Sequence, residues 1–183
     1  MKQFMLAGVS SGVGKTTVTL GILKALADRG YQVQPYKVGP DYIDTAYHSR
    51  ITKRPSRNVD SFMIPDDQSL AWSYYKWHGD ADVAVVEGVM GLFDGLGTDK
   101  DCASSASVAK KLGIPVVLII DGKATSTSAA AMVHGFATFD PDLDIAGVII
   151  NRVASQTHFE LIKGAIERYT DVEVLGYLPK NAT

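Results

Sequence analysis

Short apolar runs alternate along the chain with segments whose apolar residues recur at helical spacing. Phe4-Met-Leu-Ala-Gly8 reads as a first strand that ends in a glycine-rich turn, and residues 33–38 as a second. Residues 83–86, 116–120 and 145–150 are further strands, each nearly all apolar, as strands covered on both faces should be. Residues 172–177 supply a last short one. Val18, Ile22, Ala25 and Leu26 share one face of a helix over 15–29 that Gly30 stops. Further helices are predicted over 67–78, 102–112, 126–138 and 156–168. Trp72, Tyr75 and Trp77 fall on one of them and read as core or interface aromatics. This alternation predicts an α/β fold, a mostly parallel sheet with helices on both faces.

Residues 39–65 break the pattern, being polar, rich in turns and weakly periodic. They follow the second strand and so lie on the rim beyond the strands' carboxyl ends, where ligands gather in such folds. The chain ends at Pro179-Lys-Asn-Ala-Thr183, after a strand and with no closing helix, which reads as a cut within a longer chain.

Composition adds limits. The 183 residues suffice for one domain, 1–183, with a sizeable core, and 46% hydrophobic with 21% charged residues is ordinary for a soluble protein. A net charge of −2 gives no general attraction to nucleic acid or to an anionic membrane, and neither is expected as a partner. No apolar window reaches the roughly 18 residues of a membrane span. The single cysteine, Cys102, excludes an internal disulfide and fits a reducing cytoplasm, the expected location. It sits in a predicted helix start and reads as structural.

Gly8-Val-Ser-Ser-Gly12-Val-Gly14-Lys15-Thr16-Thr17 lies between a strand and a helix. Such a loop turns successive backbone N–H groups toward one anion, and the helix N-terminus adds a favourable dipole. Ser11, Gly12, Val13, Gly14, Lys15, Thr16 and Thr17 are the candidate phosphate cradle of a P-loop NTPase-type fold that takes ATP and Mg2+. Lys15 is placed to reach the β- and γ-phosphates and Thr16 to ligate magnesium. Gly8 precedes Gly14 by five intervening residues, one more than usual. This longer loop resembles that of dethiobiotin synthetase. Partitioning and iron-delivery ATPases carry a second lysine near the loop start, where Ser10 stands here.

Two further segments carry charge to the rim. Lys37-Val-Gly-Pro-Asp41-Tyr42-Ile-Asp44 ends the second strand. Lys37 can neutralise a transferring phosphoryl group, and Asp41 and Asp44 can bind magnesium directly or through water. A turn residue followed by a helix cap is the alternative reading of the two aspartates. Glu87, at the end of the next buried strand, stands where a P-loop fold places its second metal-organising acid. Asp94-Gly95 reads as a turn. Asn151, beside Arg152 after a later strand, can pair with an adenine edge or serve a turn. His48, His78, His134 and His158 show no metal-ligand spacing and read as surface or core residues.

Together the phosphate loop, Lys37–Asp44, Asn58-Val-Asp-Ser-Phe-Met63 and Glu87-Gly-Val-Met-Gly91 resemble the cobyrinic and hydrogenobyrinic acid a,c-diamide synthases over nearly the whole chain. The resemblance implies ATP-dependent amidation of the a and c acetate carboxylates of a tetrapyrrole through an acyl phosphate. It implies Lys15, Lys37, Asp41, Tyr42, Asp44 and Glu87 as catalytic residues, with Thr16, Asp41, Asp44 and Glu87 at the metal. Tyr42 would contact substrate or ammonia. The family draws ammonia from glutamine through a further domain with a nucleophilic cysteine; no residue here matches it, and a homodimer is left open. The relative that amidates nickel sirohydrochlorin is not separable from sequence. Other classes are a dethiobiotin-synthetase-like ligase, which Asp41-Tyr-Ile-Asp44 argues against, and a nucleotide-switch ATPase, which Ser10 argues against.

Overall fold

The computed structural model describes residues 2–180, so residues 181–183 of the ending that suggested a cut lie outside the described residues. Seven parallel strands form one sheet in the order β3-β2-β4-β1-β5-β6-β7. They are β1 (Lys2–Gly8), β2 (Val33–Val38), β3 (Arg57–Val59), β4 (Val83–Gly91), β5 (Val116–Asp121), β6 (Ile145–Val153) and β7 (Val174–Pro179). Six helices connect them: α1 (Lys15–Asp28), α2 (Ile43–Thr52), α3 (Asp67–Tyr75), α4 (Ser105–Leu112), α5 (Ser128–Thr138) and α6 (Gln156–Tyr169). From central β1 the chain runs out to β2 and β3, returns to β4, then crosses to β5, β6 and β7. That reversal opens a crevice over the carboxyl ends of the central strands.

The period of two along each strand divides the core. Met5 and Ala7 face one side with Leu118 and Ile120, where α3, α4, α5 and α6 pack through residues such as Leu70, Val108, Val133 and Ile162. Leu6, Val85 and Ile119 face the other side, against Val18 and Leu23 of α1 and Ile51 of α2. The expected parallel sheet with helices on both faces is therefore present. Continuing the alternation Val83, Val85, Glu87 sends Glu87 to the α1–α2 side, and the pairing Lys37↔Glu87 sets a lysine beside it.

Four expectations need correction. Residues 39–65 are not an elementless loop, for they hold α2 and β3. The periodicity of α2 is hidden because its buried residues are His48 and Thr52, while Ile43 and Tyr47 are exposed. Of the core or interface reading of Trp72, Tyr75 and Trp77, the core half fails, for all three lie outside the core; Leu70 and Tyr74 form the buried face of α3. Lys76 covers the Trp72 ring and Arg57 the Trp77 ring. Helix α3 ends at Tyr75, short of Trp77. Cys102 lies in the turn before α4, whose cap is Ser104, its Oγ accepting from the Ser107 amide.

Candidate active site at the phosphate loop

Strand β1 ends at Gly8 and α1 begins at Lys15 without any side-chain cap at Gly14. Among the described residues the amides of Lys15, Thr16 and Thr17 find no acceptor, so the first turn of α1 presents unpaired donors. Gly14 sits at φ 95°, and a Cβ there would overlap Asn151 Nδ2. That amide donates to Val13 O at 2.8 Å, while Asn151 Oδ1 accepts from the Arg152 N–H at 3.0 Å. Arg152, itself at φ 59°, spans Gly12 O at 2.8 Å and Asp121 Oδ2 at 2.6 Å. The ends of β5 and β6 thus brace the loop at Gly12 and Val13.

Behind the loop, five side chains from four elements meet. Thr16 Oγ1 donates to Glu87 Oε1 at 2.7 Å and lies 3.4 Å from Asp44 Oδ2. Lys37 Nζ lies 3.1 Å from Asp44 Oδ2 and 3.2 Å from Glu87 Oε1, and donates to Gly88 O at 3.0 Å. His48 Nε2 meets Glu87 Oε2 at 2.8 Å. Lys37 is buried rather than a solvated strand-end lysine, and Glu87 is fully buried. Burial acts to raise the Glu87 pKa, but the His48 hydrogen bond, the Lys37 charge and the Thr16 hydroxyl outweigh it and hold Glu87 below its ordinary value. Lys15 donates to Met90 O at 2.6 Å. Burial first, then the nearby Lys37 charge, lowers its pKa against the opposing pull of Glu87 and Asp44.

Asp41 stands beside this cluster rather than in it. Its Oδ1 accepts from the amides of Ile43 at 2.8 Å and Asp44 at 3.1 Å, so Asp41, one residue before the N-cap position Tyr42, and not Asp44, takes up the first-turn amides of α2. Burial works to raise its pKa, yet those two amides and the Lys37 charge leave it lowered. Tyr42 projects into solvent at 78% exposure. Asp94 Oδ2 accepts the Gly91 amide at 2.9 Å, the turn role read from sequence. Ser11 and Gly12 are exposed on the loop, and Val13 is buried under it. A hydroxyl and two carboxylates, from Thr16, Asp44 and Glu87, form an oxygen donor set that fits a hard divalent cation, and the uncapped α1 fits a phosphate.

A mainly apolar cavity of about 350 Å³ adjoins the site, bordered by Pro40, Phe62, Met63, Val89, Met90 and Leu96. Its wall Met90 carries the carbonyl that holds Lys15, so Met90 links the cavity to the phosphate loop. Sequence reasoning missed His48. Its signal was the four-residue spacing from Asp44, legible only once α2 is assigned.

The fold and loop define a P-loop nucleotide-binding domain with a buried lysine from β2, Lys37, beside Asp44 and Glu87. The chain belongs to the CobQ/CobB/MinD/ParA nucleotide binding domain family, whose model matches residues 4–183. It is similar to the cobyrinate a,c-diamide synthase of Listeria innocua, with 67% identity over all 183 residues. The cobyrinate a,c-diamide synthase of Salmonella typhimurium is 56% identical over 176 residues, 96% of this chain. The chain spans 40% and 38% of the length of those relatives. Among solved structures, the signal recognition particle receptor FtsY from Elizabethkingia anophelis superposes with a TM-score of 0.62 at 17% identity, over 94% of this chain and 57% of that one. The hydrogenase maturation factor HypB from Archaeoglobus fulgidus gives 0.59 at 14%, over 96% and 80%. These two share the fold alone. No helix among the described residues is long and apolar enough to cross a membrane.

Proposed function

We propose that this chain is the synthetase part of a cobyrinate-type a,c-diamide synthase, converting the a and c acetate carboxylates of a corrinoid precursor to amides with ATP and magnesium. One observation carries the reading: buried Lys37 joins Thr16, Asp44 and Glu87 behind the phosphate loop, beside an apolar cavity. The relatives' names favour a corrinoid over a nickel tetrapyrrole.

A carboxylate is a poor acyl donor. Transfer of the γ-phosphoryl group to its oxygen makes an acyl phosphate; ammonia then adds to the carbonyl carbon, phosphate leaves, and the surplus proton passes to a base. Lys15, released from Met90 O, and Lys37 balance the negative charge on the transferring group, so the site acts by positioning and electrostatics. Thr16, Asp44 and Glu87 would hold magnesium, which when bound neutralises phosphate charge. Ser11 through Thr17 would cradle the phosphates with backbone N–H groups, and Asn151, while bracing Val13, would meet the base with its remaining amide hydrogen and oxygen lone pair. Asp41, through the oxygen not taken up by the α2 amides, would orient ammonia or take its proton. Exposed Phe62 and Met63, on the cavity wall, offer an apolar surface to a macrocycle, and Tyr42 a contact at its edge.

Ammonia would come from glutamine through a glutaminase domain, so ammonium salts should replace it in a test. Incubation with ATP, magnesium, ammonium and cobyrinic acid, followed by mass spectrometry, should show each reacting carboxyl lighter by about one mass unit. An unchanged tetrapyrrole after ATP binding has been verified would refute the reading.

A further inference from the structure

Glu87 has two oxygens, and the structure uses them differently. Oε1 faces Thr16 Oγ1 and Lys37, the groups nearest the phosphate loop. Oε2 faces away, to His48 Nε2 at 2.8 Å, and both side chains are fully buried. An ionised carboxylate only accepts, so the imidazole must donate from Nε2. The other ring nitrogen, Nδ1, lies 3.4 Å from Ser56 Oγ. Ser56 is itself held by its amide to Ser49 Oγ at 2.8 Å, and Ser49 Oγ donates to Thr45 O at 2.7 Å. Thus a chain of hydrogen bonds from α2 and the turn after it fixes the ring that fixes the carboxylate.

Asp44 and His48 are one helical turn apart on α2, so the same face delivers both to Glu87 and Lys37. We propose that His48 is a positioning residue for the magnesium site. By occupying Oε2 it keeps Glu87 from turning, so that Oε1 alone faces Thr16, and it sets how far Asp44 stands from Glu87. The inference rests on reading Thr16, Asp44 and Glu87 as magnesium ligands, but not on the amidation reaction. Groups that orient metal ligands through hydrogen bonds matter to affinity about ten- to a hundredfold.

Glutamine and asparagine separate position from polarity. The Gln amide nitrogen can take the place of Nε2 and reach Glu87; the shorter Asn amide matches Nδ1 and cannot. ADP affinity of the purified protein is measured by calorimetry in magnesium chloride and in EDTA for wild type, His48→Gln and His48→Asn. His48→Gln should keep the magnesium-dependent gain in affinity within about threefold, and His48→Asn should lose about tenfold or more of it. Metal-free ADP affinity should stay unchanged in both. Equal gains in the two variants, equal losses in them, or a loss that appears in EDTA as well would overturn the proposal. So would the absence of any magnesium gain in wild type, which would remove the ligand reading beneath it. If His48→Asn does not fold, the test passes to Ser56→Ala, which frees Nδ1 while keeping the imidazole. It should reduce the magnesium gain in part, and an unchanged gain overturns the proposal.

Discussion

Thr16 Oγ1 donates to Glu87 Oε1 across 2.7 Å, tying the first turn of α1 to the carboxyl end of β4. A magnesium ion bound here would draw on both oxygens. Thr16→Val keeps the branched shape and removes one. It should leave ADP affinity in EDTA within about twofold of wild type and cut the gain from magnesium about tenfold. Calorimetry in the two buffers reads both quantities, and an equal loss in each would count against a metal role.

Lys37 is the counter-charge for two buried or half-buried acids, Glu87 and Asp44. Lys37→Met fills similar space but leaves both carboxylates without that ammonium. Losing one partner of a buried ion pair should destabilise the fold by about 3 kcal/mol. Adding Glu87→Gln should restore part of this, and a double-mutant cycle in urea measures the coupling. Purely additive losses would mean the two side chains act independently.

Phe62 and Met63 leave 65% and 66% of their surfaces exposed, on the wall of the cavity beside Met90. If a macrocycle rests there, Phe62→Ala and Met63→Ala should each raise the KM for the tetrapyrrole about three- to tenfold through lost apolar contact. Magnesium-ADP affinity should not move. Steady-state kinetics with ammonium as nitrogen source separates the two effects.

Away from the site, Asp140 Oδ2 accepts from Lys100 at 2.7 Å and from Lys110 at 2.6 Å. These hydrogen bonds hold its pKa down to about 2 from 3.8. A depressed carboxylate contributes stability that is present above its unfolded value and is lost as pH falls through the folded one. Asp140→Asn should therefore cost about 1–2 kcal/mol at neutral pH, with the difference from wild type shrinking between pH 3.8 and about 2. Denaturant melts at pH 7, 4, 3 and 2 check the direction.

The strands were legible because both faces of this sheet are covered, so β4 and β5 read as apolar runs such as Val116 to Ile120. The phosphate loop was legible because Gly12, Gly14, Lys15 and Thr16 follow such a strand. Helix α2 was not, since its buried residues, His48 and Thr52, are hydrogen-bonding side chains and Ile51 adds one partly buried apolar contact. His48 pairs with Glu87 and Thr52 Oγ1 donates to His48 O, while apolar Ile43 and Tyr47 face outward. A hydrophobic period cannot reveal a helix whose buried contacts are polar. Losing α2 hid the Asp44–His48 spacing and put the alternative cap at Asp44, whereas the first-turn amides go to Asp41. The bracing of Gly12 and Val13 by Arg152 and Asn151 was equally out of reach, for those contacts span 140 and 138 residues.

Phosphorylation of a substrate carboxylate is tested most directly by isotope. Cobyrinic acid labelled with oxygen-18 in its carboxylates is turned over with ATP, magnesium and ammonium, and the released inorganic phosphate is weighed by mass spectrometry. An acyl phosphate predicts one labelled oxygen in phosphate for each amide formed. Amide accompanied by unlabelled phosphate would contradict it.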